Sequence, residues 1–166
     1  MRTLDQRVDV RARAGGTGSR RFQGQPERVV TGVDIYSLDR IFCLAYYSLV
    51  AWDVEFTDEF GAWWDNLTAD EQESVDFGVG LLIERGPTLP FPYSSQVKGS
   101  RFGEMRELRV QHQGSPYRVL YAFDPRRVGL LLLGGDKTGD DGWYDRVVPV
   151  ADRLFATHLA EIGKQK

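Results

Sequence analysis

Across its 166 residues the chain has one cysteine, Cys43, and two histidines, His112 and His158. A single thiol forbids an internal disulfide, and three soft ligands scattered this widely do not make a structural zinc site. No metal and no cofactor are expected. No apolar run is long enough to cross a bilayer, so no membrane role is expected. The apolar stretch around Ile35 to Leu49 is interrupted and no small-residue cleavage site follows it, which excludes a convincing signal peptide and points to the cytoplasm. Lysine and arginine are absent from Trp52 to Glu84, a stretch holding ten Asp and Glu.

What is present is polarised. The net charge of −3 alone argues against a nucleic-acid binder, but Lys98 to Arg127 carries seven Lys and Arg against three Asp and Glu. A basic face can hold phosphate on an anionic molecule, because salt screens repulsion beyond about 8 Å. Apolar content of 42% and charged content of 27% are those of an ordinary globular domain.

Residues 1–30 are rich in Arg, Gly and Gln and lack apolar periodicity, so disorder is expected there. Residues 33–50 could form a short helix started by Ser37 or Asp39. The domain organisation is a disordered or poorly ordered extension over 1–49 and a compact domain over 50–166. Ala51 to Phe56 alternates as a half-buried strand does. Thr57 then caps a helix with Asp58 and Glu59 in its first turn. Phe60, Trp63, Trp64 and Leu67 give this helix an apolar stripe. The two adjacent tryptophans cannot share one face, so one is expected to serve a partner or the N-terminal segment. Thr68-Ala69-Asp70-Glu71 is a capping box for a second helix that Gly86-Pro87 ends.

Strands are expected over Met105–Gln111, Tyr117–Phe123 and Val128–Leu133, the last apolar on both faces as a central strand is. A final helix is expected from about Gly142 to Ile162, kinked or restarted at Pro149. Its expected inward residues are Val147, Val150, Ala151, Leu154, Phe155 and Leu159. The order β-α-α-β-β-β-α makes an α+β domain, an antiparallel sheet packed against helices.

Strand parity puts Glu107 and Arg109 on one face of their strand and Arg118 opposite Tyr117, Val119 and Tyr121 on the next. Arg118 then points into a groove if those aromatics are core. Glu107 and Arg109 could equally be a solvated cross-strand pair. Lys137 and Tyr144 flank a Gly- and Asp-rich loop, where the lysine could be merely solvated and the tyrosine core. His112 and His158 fit structural or surface roles.

Glu107-Leu108-Arg109, Tyr117-Arg118-Val119-Leu120-Tyr121, Gly134-Gly135-Asp136-Lys137-Thr138-Gly139 and Tyr144 followed by Pro149-Val150-Ala151-Asp152-Arg153-Leu154 together resemble the RelE/ParE superfamily of bacterial toxins, most closely its HigB branch. The likeness covers about Val50 to Ile162. It implies that Val50 begins the toxin domain, as its first residue if its codon is a GUG start. It also implies the toxin of a type II toxin–antitoxin pair, a metal-independent, ribosome-dependent mRNA endonuclease. In that scheme Arg118, Tyr144 and Lys137 are catalytic, with Tyr144 activated by a cation that lowers its pKa. Arg109, Arg106, Lys98 and Arg101 bind substrate. The implied partners are mRNA, the ribosome and a HigA-like helix-turn-helix antitoxin. The chain departs from RelE itself, which has lysines where Met105 and Glu107 stand and a second basic residue at the place of Thr138. Two alternatives keep the fold: a ParE-like poison of gyrase without nuclease activity, and an inactive phage-derived binding module.

Overall fold

Strand Ser115–Phe123 sends Tyr117, Val119 and Tyr121 to one face of a sheet and Leu120 and Ala122 to the other, and both sets are buried. A strand can be apolar on both faces only when both are covered. In the computed structural model, which describes Arg20–Arg21 and residues 51–164, helices do cover both. The strands are β1 (Arg20–Arg21), β2 (Val54–Phe56), β3 (Ser94–Gln96), β4 (Arg106–His112), β5 (Ser115–Phe123) and β6 (Gly129–Asp136). The helices are α1 (Asp58–Asp65), α2 (Ala69–Arg85) and α3 (Trp143–Lys164), with a short 3-10 turn at Gly86–Thr88.

The sheet runs β1-β2-β6-β5-β4-β3. The three long strands β4, β5 and β6 form the expected antiparallel meander, and β2 joins β6 in parallel. Two strands go beyond the expected order. β3 arises within a loop-like stretch and pairs with β4, while Arg20–Arg21 pairs with Glu55–Phe56 at the far edge. Apart from those two residues, the expected disorder of residues 1–30 and helix of 33–50 lie outside the described residues.

Helices α1 and α2 pack on one face through Phe60, Trp64, Val75, Val79 and Leu82. Helix α3 packs on the other through Trp143, Val148, Ala151 and Phe155. Leu130, Leu131 and Leu132 of β6 are fully buried between the layers. Each such leucine stabilises the fold by roughly 1.5–3 kcal/mol over its exposed state.

Local signals explain the element ends. Thr57 accepts from the Phe60 N–H, and the Thr68–Glu71 capping box is closed in both directions. Gly86 ends α2 with φ of +57°, and the ring of Trp52 occupies the place of a β-carbon there. The β4–β5 turn is the pair Gln113-Gly114, both at positive φ, which matches the twist of a tight hairpin.

Three expectations need correction. Trp63, half-buried beside buried Trp64, packs over Gly134 and edge-on to Tyr117, so it serves the sheet itself. Helix α3 runs continuously through Pro149, which is exposed. Its buried stripe includes Val148, Asp152 and His158, whereas Val147, Val150, Leu154 and Leu159 are only partly buried.

Candidate active site

The pleat of β4 and β5 brings Arg109 and Arg118 directly opposite each other, with Glu107 two residues along on the same face. Helix α3 leaves this end of the face open apart from its first turn, and that turn delivers Tyr144. The loop that delivers it is tied down at several points. The Lys137 N–H bonds the Pro116 carbonyl, Thr138 bonds the Asp136 carboxylate, and Arg146 pairs with Asp140. The Trp143 ring lies where a β-carbon on Gly135 would stand, so the absence of a side chain there sets how closely α3 approaches β6.

Glu107 is the centre of the resulting cluster. It is 3% exposed. Its Oε2 accepts the Tyr144 hydroxyl at 2.5 Å and lies 3.8 Å from Arg118 Nε. Its Oε1 accepts from Ser95 Oγ at 2.7 Å and from an Arg109 terminal N–H at 3.2 Å. An unpaired carboxylate at this depth would cost several kcal/mol, and these four partners offset that cost. Arg118 is also buried. One of its terminal N–H groups bonds the Tyr117 carbonyl at 2.8 Å. Its Nε–H has no hydrogen-bond partner among the described residues.

Lys137 Nζ lies 5.6 Å from the centre of the Tyr144 ring, a cation–π contact. The structure therefore gathers Arg118, Tyr144 and Arg109 around one carboxylate, with Lys137 against the ring of Tyr144. The Tyr144 phenol is pushed up to about 12, by burial first and then by its bond to Glu107; Arg118 pulls it down without prevailing. This reverses the expected lowering. Tyr144 is a hydrogen-bond donor at neutral pH and not a ready base.

The other expected substrate-binding residues lie elsewhere. Arg106 bonds Ser94 Oγ and the Leu89 carbonyl, and Ser94 in turn bonds buried Tyr121, which places Arg106 on the α1–α2 face of the sheet. That is a correction, and its reason is parity: 106 and 107 must point to opposite faces. Arg101 is held to the middle of α3 by the Asp152 carbonyl, while Asp152 also bonds Ser100. Lys98 is exposed on the same loop. Arg126 pairs with Asp124 and Glu55, and Arg127 lies over Trp52. The basic run from Lys98 to Arg127 thus does not form one basic face.

Sequence reasoning missed the rank of Glu107. Parity placed it beside Arg109, but burial depends on Tyr144 and Ser95, which come from distant segments. A second pair was also missed: Ser74 Oγ and His112 Nδ1 are 2.8 Å apart between α2 and β4.

Residues 62–156 match the family described as "Phage derived protein Gp49-like (DUF891)". The chain belongs to this Gp49-like family. The family is of the RelE/HigB toxin type. Its matched span contains Glu107, Arg109, Arg118, Lys137 and Tyr144, the whole cluster. The chain is 39% identical over 119 residues to "Putative toxin HigB2" of Mycobacterium tuberculosis (strain ATCC 25618 / H37Rv), covering 70% of this chain and 59% of that protein. It is 43% identical over 99 residues to "Putative toxin HigB3" of the same organism, covering 59% of this chain and 85% of that protein. It therefore spans about three-fifths of HigB2 and most of HigB3. Among the described residues, no helix is long and apolar enough to cross a membrane.

Proposed function

We propose that this Gp49-like protein is the toxin of a type II toxin–antitoxin pair and that it cuts mRNA on the ribosome without a metal ion. The observation that carries the reading is the convergence of Arg118, Arg109 and Tyr144 on the buried carboxylate of Glu107, with Lys137 against the ring of Tyr144. The relatives named as putative toxins support the toxin half of the proposal.

In this mechanism the RNA 2′-OH attacks the adjacent phosphorus. Its proton passes to the Tyr144 oxygen as the phenolic proton passes to Glu107, so the tyrosine relays and the carboxylate receives. The 5′-oxygen leaves with a proton from Lys137. The products are a 2′,3′-cyclic phosphate and a free 5′-OH. Arg118 and Arg109 stabilise the charge that grows on the phosphorane. Their attraction to Glu107 in the free protein must be partly exchanged for the phosphate. The partner that silences the site is a HigA-like helix-turn-helix antitoxin lying over these cations.

One observation favours a second reading. Both arginines are already paired with a carboxylate, which suits a ParE-like protein that binds gyrase and cuts nothing. Inducing the full chain in bacteria and mapping RNA 5′ ends separates the two. New 5′-hydroxyl ends within reading frames, absent with Arg118→Ala, support the nuclease. Growth arrest without such ends, accompanied by broken DNA, favours the gyrase reading.

A further inference from the structure

Phe77, Phe91 and Tyr93 are the large apolar side chains most exposed among the described residues, at 64%, 71% and 44%. Phe77 and Tyr93 line one groove of about 740 Å³ along β4. Phe77 of α2 forms one wall and Tyr93 the opposite one. Phe91 backs the guanidinium of Arg109, which lies 5.4 Å from its ring centre. Arg109, Gln111 and Arg118 also line it, together with Glu73 and Ser74 of α2.

The edge of β4 is open for a definite reason. β3 pairs with β4 only as far as Leu108, and the last backbone bond on that side runs from the Arg109 N–H to the Tyr93 carbonyl. Past that point Gln111 is exposed, and among the described residues no strand covers it. The groove thus joins two unlike ends. One end is aromatic and flat. The other reaches Arg118, whose buried Nε–H has no hydrogen-bond partner among the described residues. A nucleotide has the same two ends: a π-face that stacks on aromatic or guanidinium planes, and a phosphate one sugar away. The volume suits a ligand of that size.

We propose that this groove holds one unstacked base of the RNA, next to the phosphate that Arg118 contacts. Tyr93 and the Phe91–Arg109 pair are its stacking platforms, and Gln111 offers an amide to its polar edge. The proposal rests on RNA being the substrate. It adds a base-binding subsite that the cleavage chemistry itself does not require. Two arginines against one carboxylate, Glu73, in the lining favour a phosphate-bearing ligand over an apolar peptide.

The test uses the full chain carrying Tyr144→Phe, to slow cleavage, and a short single-stranded RNA with one 2-aminopurine. Stacking should quench its fluorescence on binding. Tyr93→Ala and Phe91→Ala should each remove much of the quench and weaken binding about tenfold, while Tyr93→Phe retains both. An abasic residue at that place in the RNA should weaken binding to a similar extent. Equal binding of abasic and intact RNA would overturn the base site, whether or not the protein cuts RNA. Unchanged RNA binding in both alanine variants, with loss of binding to the product of an adjacent gene, would make the groove a protein-docking face and overturn it too. Quenching without any cleavage by the unmodified chain would leave the base site standing and remove the nuclease reading. No RNA binding at all overturns both.

Discussion

Tyr144 donates its hydroxyl to Glu107 over 2.5 Å, and this bond joins the first turn of α3 to the start of β4. The carboxylate at its far end is enclosed, so the bond is a packing contact and, in the proposed mechanism, a proton path as well. A group that holds the fold together and also serves the reaction cannot be removed cleanly. The first prediction follows from that.

Arg118 is buried and lies beside Glu107, so Arg118→Ala does more than expose a patch of strand. It should lower stability by about 1–3 kcal/mol, because a buried carboxylate loses one of its partners. An exposed strand arginine would have cost no more than about 0.5 kcal/mol. Adding Glu107→Gln should recover much of the stability. Activity should stay down by at least roughly 10²–10³-fold, since the phosphorane has lost its charge partner and the relayed proton its acceptor. Urea denaturation and growth assays on both variants check this. Recovery of toxicity together with stability would make Arg118 purely structural.

Tyr144 stays protonated far above neutral pH, since its phenol is pushed from 10 to about 12. Tyr144→Phe should therefore slow cleavage without changing the shape of the rate profile between about pH 6 and 9. The sign for stability is also fixed. A pKa raised by folding gives stabilisation that is complete below the free-phenol value and is lost as pH climbs through the folded one. Ultraviolet titration should find one late-ionising phenol fewer in the variant, and the fall in stability above pH 10 should be shallower. A rate profile that shifts with the substitution would return the role of base to the tyrosine.

Gly134 has no room for a side chain: a β-carbon there would lie 2.2 Å from the Trp63 ring. Gly134→Ala should destabilise by about 1–3 kcal/mol, because α1 must move away from β6. The variant Gly134→Ala with Trp63→Leu should regain part of that. Thermal melts of the three proteins are enough. A neutral Gly134→Ala would mean that Trp63 swings aside freely.

Asp124 directly follows β5 and is buried. Burial acts to raise its pKa, yet hydrogen bonds from His158, Arg126 and the Val128 amide hold it below the ordinary carboxylate range. Its stabilisation is present above the ordinary carboxylate pKa and lost as pH falls through the depressed folded value. Asp124→Asn should cost roughly 1–3 kcal/mol at neutral pH, and the gap to the unmodified chain should narrow in acid. Denaturation at neutral and acid pH measures the gap. A constant gap would mean that the carboxylate charge contributes nothing.

The sequence by itself determined the elements and their faces. Thr57, Thr68 with Glu71, and Gly86 mark helix ends through local hydrogen bonding and backbone freedom, which need no distant partner. The two-residue period of Tyr117 to Ala122 and the apolar run of β6 already implied a sheet covered on both sides. Parity put Glu107 and Arg109 on one face of their strand and Arg118 opposite the aromatics of the next, while the register that unites these faces came from the strand pairing. Tertiary structure alone decided which charges are buried and which are spent elsewhere. Glu107 becomes a hub only because Ser95 and Tyr144, 12 and 37 residues away, fold onto it. Arg101 and Arg126 leave the site only because Asp152 and Asp124 capture them. Such choices depend on desolvation and on partners brought from far along the chain, and a local pattern of residues contains neither.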